Sequence, residues 1–158
     1  MSIQDRSLEF ALRSDLGYAF DMKNCIFCKI IGGEIPAQKI YENKDVIAFL
    51  DVRPVNIGHT LVLPKAHYLS IYDTPDELLA ALMPVIKKLS IAIKSAVDAD
   101  GINIEMNNGP AAGQLVFHTH IHIVPRFNDD GFKHWRGARG YSDGEMEQIE
   151  NKIKSVLG

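Results

Sequence analysis

The chain has 158 residues, 46% of them hydrophobic and 23% charged, with 17 Lys and Arg against 20 Asp and Glu for a net charge of −3. A core of that size buries about 70% of the unfolded chain's surface without a disulfide framework, and the two cysteines present are too few for one. The mildly acidic balance argues against a dedicated nucleic-acid or anionic-membrane binder, and no apolar run approaches the ~20 residues of a membrane span.

Leu8, Leu12, Leu16 and Phe20 recur at i, i+4 spacing, which predicts a short amphipathic helix in an extension over residues 1–21. The segment lacks a basic region followed by an apolar stretch, so it does not read as a secretory signal, and Asp5, Glu9 and Asp15 argue against a transit peptide. A reducing, cytoplasmic setting is expected. Met22 precedes Lys23-Asn24-Cys25 as a natural start, and residues 22–158 are expected to form a single domain.

From Lys39 to Leu63 the chain reads as a meander of three strands, KIYEN, VIAFLDV and HTLVLP, separated by Asn/Asp and Pro/Gly turns. Thr74-Pro75-Asp76-Glu77 predicts a helix start, with Thr74 as N-cap, Pro75 at the first helical position and Glu77 at the third. That helix is expected to run to about Asp98, with Pro84 bending it and Gly101 marking the stop. INIEMN (102–107) and LVFHTHIHIVPR (115–126) supply two further strands around a Gly-rich loop, and Ser142-x-x-Glu145 caps a last helix ending near Val156. The expected fold is α+β, an antiparallel five-stranded sheet with one main helix and a C-terminal helix.

Three of six histidines occupy His118-Thr119-His120-Ile121-His122. In a strand their side chains share one face, roughly 6–7 Å apart, while Thr119, Ile121 and Ile123 point to the other. Such a row suits either metal binding or nucleophilic and acid–base catalysis. Asn103, Glu105 and Asn107 alternate in the preceding strand and can face the same site. The loop Asn108-Gly109-Pro110-Ala111-Ala112-Gly113-Gln114 is small enough for its backbone N–H groups to approach a phosphate, although Gly and Pro belong in any hairpin connection.

The order Asn107, Gly113-Gln114 and His-Thr-His-Ile-His-Ile-Val resembles the signature of the histidine triad (HIT) superfamily. Cys25-Ile26-Phe27-Cys28-Lys29-Ile30, Glu34-Ile35-Pro36, Ala48-Phe49-Leu50-Asp51, the run Gly58 to Lys65 and His67 extend the likeness over about residues 24–137. The pattern is closest to the Hint-like branch whose bacterial-type members carry Cys-x-x-Cys near the start. The resemblance implies a nucleotide hydrolase acting at the α-phosphate of purine nucleoside phosphoramidates. His120 would be the nucleophile that forms a nucleotidyl-histidine, with His118, His122 and His59 as catalytic partners.

It further implies that Phe27, Ile30 and Phe49 bracket the base and that Asp51 accepts from the ribose hydroxyls, with Asn107, Gly113 and Gln114 beside the phosphate. For the apolar residues plain core packing is the competing explanation, and for Asp51 a turn. Cys25 and Cys28 would join His67 and His118 around a structural zinc ion; a redox dithiol or a pair of buried thiols are the alternatives. No organic cofactor is expected. The expected partners are an AMP-type purine nucleotide and a second copy in a homodimer, with neither membrane nor nucleic acid. Leu115 departs from the pattern, standing where many members carry a Ser or Thr able to donate to the leaving group. Trp135 is a candidate contact to that group in a dimer. Two rival functions are diadenosine polyphosphate hydrolysis and a non-catalytic nucleotide-binding or scaffold role.

Overall fold

The computed structural model describes residues 24–133, 137 and 139–158, so the expected N-terminal helix and Trp135 lie outside the described residues. A short helix α1 (Ile26–Ile31) precedes strands β1 (Lys39–Glu42), β2 (Val46–Leu50) and β3 (Thr60–Pro64). The long helix α2 (Asp76–Ala96) leads to β4 (Gly101–Glu105), a 3-10 turn at Pro110–Ala112 and β5 (Ile121–Arg126). Helix α3 (Glu145–Leu157) belongs to a second compact unit, Asp129–Gly158. The five strands form one antiparallel sheet in the order β1-β2-β3-β5-β4, the predicted fold class.

Strand periodicity sorts the core into two layers. Val46, Ala48, Val62, Ile121 and Ile123 pack on one face against Leu82, Val85, Ile86, Leu89 and Ile93 of α2, a stripe at helical spacing. The alternate residues Ile47, Phe49, Leu61 and Leu63 pack on the other face against Phe27 and Ile30 of α1. Strands β2 and β3 are therefore buried on both sides, which is why they read as unbroken apolar runs. Each buried Leu, Ile or Phe contributes about 1.5–3 kcal/mol relative to an exposed position. Because His122 lies directly opposite Leu61, it faces the α1 layer.

Several boundaries differ from the sequence expectation, each for a local reason. The last strand begins at Ile121, not Leu115. Strands β3 and β5 pair at Thr60↔Ile123, Leu61↔His122 and Val62↔Ile121, so two further steps in that register would set Thr119 against Pro64, which has no N–H to give. The Pro64 carbonyl instead accepts from His118 Nε2 at 2.9 Å, and the Thr119 N–H goes to the Tyr68 carbonyl at 2.6 Å. Thr74 does not cap α2, because its hydroxyl donates to the Ser70 carbonyl at 2.7 Å; Pro75 takes the cap position. The helix runs through Pro84 and ends at Ala96, where Asp98 adopts a left-handed φ of 53°, and Gly101 opens β4. Strand β4 ends at Glu105, leaving Asn107 in the following turn. In the second unit, Glu145 accepts from both the N–H and the hydroxyl of Ser142 at the start of α3.

No helix among the described residues is long and apolar enough to cross a membrane. Gly58, just before β3, holds a φ of +84°, and a Cβ there would lie 3.1 Å from Val97, 3.3 Å from Ile93 and 3.3 Å from Pro125. Gly58→Ala should cost roughly 2–4 kcal/mol through left-handed strain and overpacking, read as a lower urea midpoint.

Candidate functional site

His120 is 6% exposed and stands one residue before β5. Its Nδ1 lies 2.6 Å from the carbonyl of His118, and only a protonated nitrogen can donate there. The proton is thereby committed to Nδ1, and Nε2 keeps its lone pair. Burial pushes the His120 pKa below the ordinary imidazole value; the bond to His118 and the charge of Asp51 oppose that shift, while His122 adds to it. The ring stands edge-on to Phe27 at 5.1 Å and to His122 at 5.0 Å between centroids. This arrangement presents a neutral ring nitrogen with its lone pair uncommitted to the His118 carbonyl bond.

A chain of donors fixes the neighbouring imidazoles as well. The Val55 N–H donates to His59 Nδ1 at 3.1 Å, so the His59 proton sits on Nε2. That nitrogen is 2.9 Å from His122 Nδ1 and donates to it, which leaves the His122 proton on its own Nε2. The tautomer also decides the role of Asp51, whose Oδ2 is 3.7 Å from His59 Nδ1: with no proton between them, this is proximity rather than an ion pair. Burial lowers the pKa of both His59 and His122, with Asp51 and Glu105 opposing and His59 further lowering His122. Glu105 lies directly across the β4–β5 ladder from His122. Asp51 is 18% exposed, and its Oδ1 accepts the Arg53 N–H at 2.7 Å, so the turn-forming role coexists with a free second oxygen.

Gln114 is 4% exposed and its amide is spent within the protein. Its oxygen accepts from the Gly109 N–H at 2.8 Å, and its NH₂ donates to the carbonyls of Leu69 at 2.6 Å and Val116 at 3.2 Å. The backbone N–H groups of Ala112, Gly113 and Gln114 are likewise bonded to Gly109, Pro110 and Gly109 carbonyls. Gly113 makes this tight loop with a φ of +85°, and the Asn107 amide lies 3.9 Å from where its Cβ would be. Gly113 and Gln114 therefore build the loop that is expected beside a phosphate, and Leu115, 89% exposed, follows it.

Phe27, Ile30 and Phe49 come together as expected, but as core: all three are buried, with Phe27 and Phe49 edge-to-face at 5.8 Å. Phe27 also touches the His118 ring at 5.9 Å, so this cluster forms the wall on which the histidine row rests.

Cys25, at the start of α1, and Cys28, in its first turn, face His67 and His118. The four donor atoms all lie within 4.8 Å of one another. Cys28 Sγ is 3.2 Å from His67 Nδ1 and 3.6 Å from His118 Nδ1, Cys25 Sγ is 3.6 Å from His118 Nδ1, and the two Nδ1 atoms are 3.2 Å apart. A tetrahedron with bonds of roughly 2.0–2.3 Å has edges of about 3.3–3.8 Å, so these donors fit a closed zinc site. The His118 Nε2–H bond to Pro64 turns the Nδ1 lone pair towards the thiols, the usual orienting contact of a ligand histidine. Without a cation, burial and then the neighbouring Cys25 push the Cys28 thiol up to about 11, and burial pushes His118 down to about 4.

Sequence reasoning missed α1, the Val55 N–H that sets the His59 tautomer, and the Tyr68 and Pro64 carbonyls. Backbone donors and acceptors carry no side-chain signal. The proline at 64 was the one readable sign that the ladder stops there.

The HIT domain family profile matches residues 32–129. The chain is 44% identical over 138 residues to Protein hit of Bacillus subtilis, covering 85% of this chain and 95% of that one. It is 46% identical to the adenylylsulfatase HINT3 of Arabidopsis thaliana (85% and 70% covered) and 40% identical to the adenosine 5′-monophosphoramidase HNT1 of Candida albicans (85% and 91% covered). Among solved structures, a HIT family member from Bacillus subtilis superposes with a TM-score of 0.79 at 42% identity, covering 85% of this chain and 98% of the other. A Zn-bound histidine triad family protein from Mycobacterium smegmatis gives 0.67 at 38% identity, with 85% and 98% covered. With its five-stranded sheet and its Cys-x-x-Cys beside the histidine row, this chain belongs to the HIT domain family, in its Hint-like branch.

Proposed function

We propose that this protein hydrolyses purine nucleoside 5′-phosphoramidates and related adenylyl compounds at the α-phosphorus, through a nucleotidyl intermediate on His120. The observation that carries the reading is the 2.6 Å bond from His120 Nδ1–H to the His118 carbonyl, which presents a neutral Nε2. That lone pair attacks phosphorus; the bond to the leaving group breaks, and the group takes a proton from solvent water as it departs. Water then cleaves the nucleotidyl-histidine, releasing the 5′-monophosphate and replacing the proton. His122 offers its Nε2–H to a phosphoryl oxygen, a donor held in place by His59 before charge develops. Asp51 receives the ribose hydroxyls on its second oxygen, and the base lies along the Phe27, Ile30 and Phe49 wall. Gly113, Gln114 and Asn107 shape the phosphate loop. The relatives named as an adenylylsulfatase and an adenosine 5′-monophosphoramidase support an adenylyl group with a variable partner.

We further assign a zinc ion to Cys25, Cys28, His67 and His118. With all four donors engaged the ion would keep no open position and would supply cross-linking rather than reaction chemistry, through residues that join α1 to the segment carrying His120.

Wild-type protein should release AMP from adenosine 5′-phosphoramidate in preference to a diadenosine polyphosphate, and His120→Ala should lose at least about 10³-fold in turnover while retaining AMP binding. Persistent turnover in that variant would overturn the mechanism, and preference for the dinucleotide would replace the substrate. The pH profile follows from the sign of the shifts: a nucleophile must be unprotonated, and burial lowers the pKa of His59, His120 and His122. The acid limb of kcat/KM should therefore fall below the ordinary imidazole value of 6.5. Elemental analysis should find one zinc per chain, and Cys28→Ser should abolish it and lower the thermal midpoint.

A further inference from the structure

Thr119 lies between two histidines but faces the opposite way, and it is 1% exposed. A hydroxyl buried there needs a partner, and it has one: Thr119 Oγ1 is 2.8 Å from Thr74 Oγ1. Thr74 has a single proton and spends it on the Ser70 carbonyl at 2.7 Å, so Thr119 is the donor. A directional chain thus runs from Thr119 through Thr74 to Ser70.

The same peptide unit is held at both ends. Its carbonyl, from His118, accepts the His120 Nδ1–H at 2.6 Å, and its N–H, from Thr119, donates to the Tyr68 carbonyl at 2.6 Å. Bonds at the two ends of one peptide polarise each other. No strand ladder holds this peptide, since pairing with β3 stops at Ile121 and pairing with β4 at His122. Its orientation depends on the loop over residues 68–74, which Asp73 organises by accepting the N–H groups of Leu69 and Ser70 at 2.8 Å each and the Ser70 hydroxyl at 3.2 Å.

We propose that Thr119 and Thr74 are positioning residues for the nucleophile: their hydroxyl pair clamps the His118–Thr119 peptide to the loop before α2 and so fixes the ring of His120. The inference rests on the hydrolase reading for its kinetic consequence, but its structural content stands apart from any substrate. The hydroxyl itself is what matters, because valine has nearly the shape of threonine yet donates nothing.

The test compares Thr119→Val, Thr119→Ser, Thr74→Val and the double valine variant by two measurements. One is kcat and KM on adenosine 5′-phosphoramidate; the other is the solvent exchange rate of the His120 Nδ1 proton by NMR. Thr119→Val should lower kcat about tenfold with KM within about twofold, in line with the sensitivity of rate to small misplacements of a reacting group. The Nδ1 proton should exchange about tenfold faster, since its acceptor is no longer held. Thr119→Ser should restore both, and the double variant should be no worse than either single one, as for two members of one bond. Unchanged kcat and exchange in Thr119→Val would overturn the proposal, as would a serine variant as impaired as the valine one, which would assign the effect to methyl packing. Should Thr119→Val fail to fold, Thr74→Val read against Thr119→Ser decides by the same exchange rate. A wild type inactive on every nucleotide would overturn the hydrolase reading alone, with the exchange comparison still deciding this one.

Discussion

The missing N–H of Pro64 is the constraint from which the site follows. An antiparallel ladder needs a donor from each strand, and β3 has none to give at the position facing Thr119. The chain over residues 115–120 is therefore released from the sheet while its continuation, β5, stays locked at the centre between β3 and β4. Release creates two demands, an acceptor in need of a donor and a segment in need of an anchor. His118 meets both. Its Nε2–H satisfies the Pro64 carbonyl, its Nδ1 joins the thiols of α1, and its carbonyl receives the ring of His120. One residue thus couples the end of β3, the candidate metal centre and the His120 ring.

Histidines packed this closely would repel one another if charged. Their burial favours the neutral forms, and neutrality in turn makes the tautomers matter, because each ring then has one donor and one acceptor to place. Backbone groups make the choice: the Val55 N–H fixes His59, His59 fixes His122, and the His118 carbonyl fixes His120. The result is one ring presenting a lone pair beside another presenting a proton. A phosphorus centre approached by the first would find a donor for its oxygen on the second, with no reorganisation required of either.

The legible parts of this fold were those written in side-chain periodicity. Strands β2 and β3 and the long helix follow from apolar spacing, the shared face of the imidazoles from strand alternation, and Cys-x-x-Cys was readable as a donor pair, while His67 and His118 came with the family resemblance. What escaped was decided by backbone hydrogen bonds. Thr74 looked like an N-cap, since Thr-Pro-Asp-Glu is a strong local signal, but tertiary contact with Thr119 claimed its hydroxyl. Leu115 to His120 alternate like a strand and lack only a partner able to pair. Gln114 is a polar residue beside a Gly-rich loop, and its residue type gave no sign that its amide closes that loop on itself.

The hydrogen bonds of Gln114 bear on how charge is handled in the proposed reaction. If Gln114 and the N–H groups of Ala112, Gly113 and Gln114 are consumed in building the loop, they cannot also stabilise a developing negative charge. Leu115 has no side-chain donor to add. The leaving group then meets little protein-derived proton donation on this side, and the electrostatic burden shifts to the His59–His122 pair. An amine leaving from such a site takes its proton from solvent water, which requires no side-chain donor on this side.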